Sequence, residues 1–305
     1  MKFDLIVGNP PFQKTADHGK KISQNLWVPI TFKSWDLLRE DGVLCLITPS
    51  TWRTLTNDDT IKRRSILRDI LKPYKTLSIN MDEIKRHFPG VGSTFSQFIV
   101  QKTLDDANIT DAVTLYGNTT LDLNEMRMIP FDLSDIGLSI FNKITTSSHP
   151  RWNMMPRSSK KTKDLDVSDI KDKNHPYRHF SSHGAQDMQY CNRPGTNHFV
   201  SKIVVSRTGE MNVSVDNGDL TPGNECHIQV LRPEELSSAE SQFKSMLFNT
   251  IMNTNKSNQY IDRYLLNFLP QLDMTRDWTD TEIYEELNLT EEEVAYIETK
   301  ENRTI

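Results

Sequence analysis

Cysteine is scarce in this 305-residue chain. Cys45, Cys191 and Cys226 stand in no pairing or ligand spacing, which argues against a disulfide framework and a Cys-based metal site. Cys45, inside an apolar run, reads as a buried thiol, and no metal is expected. No run approaches membrane-spanning length and no secretory leader is visible. With 36% hydrophobic residues and a mean hydropathy of −0.56, the chain reads as polar, cytoplasmic and without a membrane partner. Glycine is also sparse. The Gly-x-Gly at Gly90-Val91-Gly92 precedes the strand-like run Thr94 to Val100 instead of following a strand and opening a helix, so it reads as a turn and not a nucleotide loop. His175, His179 and His183 share a four-residue spacing. Pro176 and Gly184 argue against a continuous helix there, and no acidic residue is placed with them.

The net charge of −5 argues against a polyanion partner until its distribution is considered. Nine acidic residues and no Lys or Arg lie between Asp277 and Glu298; without them the remainder carries +4. A mildly basic body with an acidic tail is compatible with phosphate contacts. In the tail, Thr279 with Glu282 and Thr290 with Glu293 have the spacing of helix-opening caps, and acidic first turns favour the helix dipole.

What is present is concentrated near the start. Phe3 to Phe12 is an apolar strand-like run ending in Asn9-Pro10-Pro11-Phe12. Asn-Pro-Pro-aromatic arises by chance on the order of 10⁻⁵ per position with average residue usage, so it is more than a common turn. The turn offers an amide, carbonyls pre-aimed by proline's fixed φ, and an aromatic face. The exocyclic amine of adenine is a poor nucleophile because its lone pair is delocalised into the ring. Two acceptors aimed at its hydrogens, the Asn9 side-chain oxygen and the Pro10 carbonyl, would localise that lone pair. Phe12 would stack on the base once it is flipped from the duplex.

Asn9-Pro10-Pro11-Phe12 resembles motif IV of the N6-adenine DNA methyltransferases, which transfer a methyl group from S-adenosylmethionine to adenine in DNA. Leu26-Trp27 through Leu46-Ile47-Thr48-Pro49-Ser50-Thr51-Trp52 is similar to the family's next helix and strand, and His87 to Ser93 running on to Val100 to its motif VIII. The order of these motifs, followed by a long C-terminal region, resembles the γ-type enzymes of restriction–modification systems. The resemblance implies that Asn9, Pro10, Pro11 and Phe12 are catalytic and that Phe12 and Phe88 stack on the base. It also implies an α/β fold: the second half of a mostly parallel Rossmann-like sheet, followed by an α+β target-recognition domain. Strands are expected near 3–7, 43–48, 75–81 and 94–102.

In that family the cofactor part, with its Gly-rich motif I, comes before motif IV. Here Asn9 has eight residues ahead of it. The expectation is an incomplete S-adenosylmethionine site, with a missing part or a second protein chain supplying it, and a strand at 3–7 left with an unpaired edge. The alternative from a different class is a non-catalytic, methyltransferase-derived DNA-binding or interaction protein. Methylation of glutamine or RNA bases by a similar turn is a third reading, disfavoured by the long C-terminal region.

Three regions are expected: a partial catalytic domain over 1–150, a recognition-like DNA-binding domain over 151–270, and an acidic helical segment over 271–305. In the second, strands at 203–207 and 226–230 flank turn signals, and Phe243 to Met252 reads as a helix. Double-stranded DNA is the expected partner. Candidate DNA contacts are Lys20 and Lys21 in the polar loop after the turn, Arg53 past a strand end, Lys160 and Lys161 in a basic linker, and Arg207 past another strand end. Tyr177, Arg178 and His179 are weaker candidates.

Overall fold

The computed structural model describes residues 2–12, 25–53, 64–81, 84, 87–88, 94–114, 117–156, 165–180, 188–207, 211–223, 226–256 and 260–300. In the first part of the chain, strand β1 (Phe3–Gly8) leads to helix α1 (Trp27–Leu37) and strand β2 (Leu38–Pro49). Strands β3 (Tyr74–Asn80), β4 (Phe95–Leu104), β5 (Ile109–Thr114) and β6 (Gly117–Asp122) follow, then helix α2 (Asp135–Thr146). The four expected strands are all present.

These strands form one six-stranded sheet in the order β1-β2-β4-β3-β5-β6. Its pairings are mixed. β1 with β2 and β3 with β5 run parallel, while β4 is antiparallel to both β2 and β3, and β5 to β6. The expectation of a mostly parallel sheet is therefore corrected for this portion: β4 enters between β2 and β3 in the opposite direction. The period-two pattern of β2 sets its faces, with Leu44, Leu46 and Thr48 buried and the residues between them half-buried. Cys45 falls on the alternate face and is only half-buried; the buried thiols are Cys191 and Cys226.

Helix α1 covers this sheet with Trp27, Phe32 and Trp35, which join Leu44, Leu46, Ile79, Phe98 and Val100 in one core. Trp27, Thr31 and Trp35 recur at four-residue spacing, and the Thr31 hydroxyl donates to the Trp27 carbonyl at 2.9 Å. Pro29 is tolerated because it sits in the first turn, where an amide hydrogen has no intrahelical acceptor.

Contacts divide the chain into two compact units, Met1–Leu138 and Ser139–Ile305, the division falling within α2. The boundary expected near 150 thus lies inside the second unit, and the acidic C-terminal helices belong to that unit instead of standing apart. The second unit contains β7 (Met155–Pro156), β8 (Val167–Ser168), β9 (Tyr177–Phe180), β10 (Met188–Cys191), β11 (Ser201–Ser206), β12 (Val213–Asn217), β13 (Leu220–Pro222) and β14 (Cys226–Val230). They make two four-stranded sheets, ordered β13-β9-β10-β8 and β12-β11-β14-β7. Helices α3 (Leu236–Phe243), α4 (Met246–Asn255), α5 (Arg263–Leu266), α6 (Asp280–Glu286) and α7 (Glu291–Lys300) complete it.

The single helix expected over 243–252 is two. Phe243 ends α3, and Ser245 caps α4 by accepting the Phe248 amide at 3.3 Å. A serine with extended backbone at that point satisfies a helix start better than a helix interior. The two tail caps do form: Thr279 and Thr290 exchange side-chain and backbone hydrogen bonds with Glu282 and Glu293 respectively.

Candidate active site and nucleic-acid contacts

Strand register brings the candidate turn to one end of the first sheet. β1 runs parallel to β2, with Gly8 opposite Leu46, so Asn9 leaves the carboxyl end of β1 beside the carboxyl end of β2. β4 runs antiparallel, placing its first residue, Phe95, opposite Pro49, the last of β2. Three strand ends meet where ligands of open α/β sheets usually sit. Asn9 is exposed and Pro10 is buried. Phe12 is half-buried and packs against the core. The Phe12 carbonyl accepts the Leu26 amide at 3.2 Å, which fixes the turn against the chain entering α1.

The two candidate stacking rings come together through a third. Phe12 lies against Phe95 with centroids 5.0 Å apart. Phe88 stacks on Phe95 at 4.6 Å with an interplanar angle of 29°. Phe95 is buried. Sequence reasoning passed over it as one apolar residue of a strand. Its signal was positional: it opens the strand that follows the motif VIII-like segment.

At the same sheet end, the hydroxyls of Thr48 and Ser50 are buried and have no hydrogen-bond partner among the described residues. The Ser50 amide is held by the Thr94 carbonyl at 3.1 Å. Among the described residues this end offers amide, carbonyl, hydroxyl and aromatic groups. That set suits a neutral, flat base. It does not suit S-adenosylmethionine, whose ribose and amino-acid groups call for an acidic side chain at a strand end and a turn of free amides.

Beside this turn, β1 is the edge of the sheet and pairs, among the described residues, only with β2. Its side chains are largely uncovered: Leu5 is 57% and Val7 67% exposed.

Arg53 does not face solvent, as a DNA contact requires. It is 2% exposed, its guanidinium donates to the Ile129 carbonyl, and it lies 3.5 Å above the Phe131 ring. The Arg53 carbonyl accepts the Ile129 amide at 3.1 Å, so the residue pins its turn to the 129–131 segment. This corrects its candidacy: a buried, hydrogen-bonded arginine is a structural tie.

Lys20, Lys21, Lys160 and Lys161 lie outside the described residues, as does His183. Arg207 is exposed at the end of β11, its guanidinium 5.2 Å from the Tyr260 ring centroid. Arg178 pairs with Asp219 at 3.2 Å, and Tyr177 packs edge-on against His198 at 5.2 Å. His175 has acidic neighbours after all. The fold brings Asp172 to 3.0 Å and Asp166 to 3.2 Å of its ring nitrogens. Its modest burial disfavours the proton, but these two carboxylates prevail and raise its pKa.

Residues 1–78 match the Eco57I restriction-modification methylase family. Over 77 residues the chain is 38% identical to the modification methylase CviBIII of Paramecium bursaria Chlorella virus NC1A, a stretch covering 23% of this chain and 20% of that methylase. The chain thus spans about a fifth of that relative. Among solved structures, the Type IIL restriction-modification enzyme MmeI in complex with DNA aligns with 98% of this chain and 50% of its own, at 10% identity and a TM-score of 0.49. The M protein of the Type I restriction enzyme EcoKI aligns with 36% of this chain and 24% of its own, at 20% identity and a TM-score of 0.26. The family match contains Asn9-Pro10-Pro11-Phe12, and over residues 1–78 the chain is similar to the Eco57I restriction-modification methylases.

Proposed function

We propose that this chain supplies the base-holding and DNA-recognition portion of a site-specific DNA adenine-N6 methyltransferase. The observation that carries this reading is the exposed Asn9 amide beside buried Pro10 at the carboxyl end of β1, with Phe12 seated on Phe95. The Asn9 side-chain oxygen and the Pro10 carbonyl accept the two hydrogens of the flipped adenine's amine. Accepting both localises the nitrogen lone pair toward the methyl donor, and the spare proton leaves after transfer. Phe12 and Phe88 hold the base by its faces, and each ring packs against Phe95. Duplex DNA is the partner, and Lys20, Lys21, Lys160, Lys161 and Arg207 are its proposed phosphate contacts.

S-adenosylmethionine supplies the methyl group when bound. Its binding part lies against the free edge of β1, contributed by further polypeptide or by a second chain. The edge of β1, unpaired among the described residues, and the exposed Leu5 and Val7 support this placement, since an apolar edge strand is ordinarily covered or paired.

The test uses the native assembly purified through a tag on this chain. Tritiated methyl groups should appear in duplex DNA and, after digestion, in N6-methyladenine. Label on cytosine, or label only in protein or RNA, overturns the reading. The lack of a cofactor-type donor set among the described residues also favours a second reading, a DNA-binding relative without catalysis. Its mark is salt-sensitive DNA binding by the assembly with no methyl transfer and no cofactor binding.

A further inference from the structure

Lys202, near the start of β11, is fully buried, and its ammonium serves one short stretch of backbone. It donates to the Asp216 carboxylate, to the His198 carbonyl at 3.3 Å and to the Val200 carbonyl at 3.1 Å. Three acceptors for three N–H donors satisfy a cation sealed from water. The two carbonyls belong to the residues on either side of Phe199. The same Asp216 carboxylate accepts the amides of Gly218 and Asp219, each at 3.1 Å, so it also fixes the turn between β12 and β13.

The rest of the loop is held as firmly. His198 is buried; its amide donates to the Gly195 carbonyl at 3.2 Å, and its Nδ1 lies 2.8 Å from the Thr221 hydroxyl. Its ring is edge-on to Tyr177 at 5.2 Å and to Phe199 at 4.6 Å. Asn197 takes the left-handed conformation, with φ 64°. Gly218 has φ +92°, and a Cβ there would lie 3.3 Å from the Phe199 carbonyl carbon. Glycine thus lets the turn close on the Phe199 backbone. Yet the Phe199 side chain, at the centre of these ties, is 72% exposed.

An apolar ring on a fixed backbone loses little freedom when a partner covers it. One phenylalanine offers at most about 150–250 Å², well short of the roughly 800 Å² per partner of a stable protein interface. It is enough for a base step. The residues beside it suit DNA as well. Asn197 and Asn217 carry amides, the groups that pair with base edges, and the Ser201 hydroxyl donates to Asn217. Both carboxylates of the turn are matched by cations, Asp216 by Lys202 and Asp219 by Arg178 at 3.2 Å.

We propose that Phe199, presented by the Lys202–Asp216 clamp and closed on by Gly218, is an apolar wedge that enters duplex DNA and stacks between adjacent bases. Phenylalanine wedges of this kind partly unstack a step and kink the duplex. This assignment rests on the DNA reading above and gives that reading a base contact at a residue the sequence did not single out.

The test starts from fluorescein-labelled duplexes that the full wild-type chain enriches from a randomised pool. Phe199→Ala should weaken binding roughly 5- to 150-fold, the range that one stacked ring contributes. The slope of log K against log salt should not change, because no phosphate contact is lost. Phe199→Trp should retain affinity, and the melting temperature of Phe199→Ala should match the wild type because the ring is exposed. On the wild-type chain, the enriched duplexes remade with 5-iodouracil for thymine should cross-link to Phe199 on irradiation, a readout independent of variant folding. A wild-type chain that enriches no duplex fails the underlying reading. A wild-type chain that binds, with undiminished affinity in Phe199→Ala, overturns the wedge alone. Loss of a second protein chain from the native assembly in that variant, with DNA affinity unchanged, would reassign the ring to a protein contact.

Discussion

The ring of Phe95 lies against that of Phe12, centroids 5.0 Å apart and tilted by 33°. A residue from the start of β4 thereby supports the aromatic of a turn leaving β1. Phe95→Leu keeps apolar volume but removes the flat support. It should reduce base capture, read with 2-aminopurine at the target position, while leaving overall duplex affinity nearly unchanged. Phe95→Ala should also cost about 3–5 kcal/mol of stability, as for other buried phenylalanines. Phe12→Ala should weaken capture by roughly 1–3 kcal/mol, the range for one stacked base, and Phe12→Tyr or Phe12→Trp should retain it. A normal 2-aminopurine signal in Phe95→Leu would show that Phe12 needs no platform.

Asn9 is exposed, and its side chain makes no hydrogen bond among the described residues. Asn9→Ala should therefore leave the melting temperature unchanged. In the active assembly it should lower turnover on the order of 10²–10³-fold, the loss expected of a contact used as charge develops. DNA affinity should be nearly intact. Normal turnover in Asn9→Ala reduces the Asn-Pro-Pro-Phe sequence to a simple turn.

The open edge of β1 makes a prediction about the cofactor. Calorimetry on this chain alone should show weak or no S-adenosylmethionine binding. Leu5→Lys with Val7→Lys should leave the isolated chain folded, since both side chains are exposed, and should raise its solubility. The same pair should abolish cofactor-dependent methyl transfer in the assembly. Tight one-to-one binding by the chain alone would falsify the placement.

The acidic hairpin should respond to pH in a defined window. Glu282 accepts the Thr279 amide and hydroxyl and the Arg276 guanidinium, which lower its pKa from 4.5 to about 2. Burial raises the pKa of Glu293, but Lys143, Ser139 and Thr290 outweigh it and the net shift is also downward. Carboxylates held low in the folded state stabilise it above their unfolded pKa and lose that contribution as pH falls toward the folded value. The thermal midpoint should therefore drop between about pH 4.5 and 2, and Glu282→Gln should flatten that limb. Deleting 277–298 is no clean way to remove the charge, because Trp278, Ile283, Tyr284, Leu287 and Ile297 are buried. Glu291→Gln with Glu292→Gln is the gentler alternative, and it should raise nonspecific DNA affinity modestly.

Much of this molecule could be read from residues close together in the chain. Asn9-Pro10-Pro11-Phe12 is a local turn at a strand end, and the chemistry proposed for it needs only four adjacent residues. The strands announce themselves by alternation, as in β2, and the Thr279 and Thr290 caps by a three-residue spacing. Such signals are short-range, so no knowledge of the fold was needed. Other features depended on partners far away in sequence. Arg53 reads as a surface cation until Ile129 and Phe131 cover it. His175 is a different case: Asp172, three residues before it, was within reach of a local reading, and the turn of the chain adds Asp166. Phe95 becomes a platform only because antiparallel pairing sets it opposite Pro49. Strand direction, burial of charge and convergence of rings are properties of pairing between distant segments, and those were decided by tertiary packing.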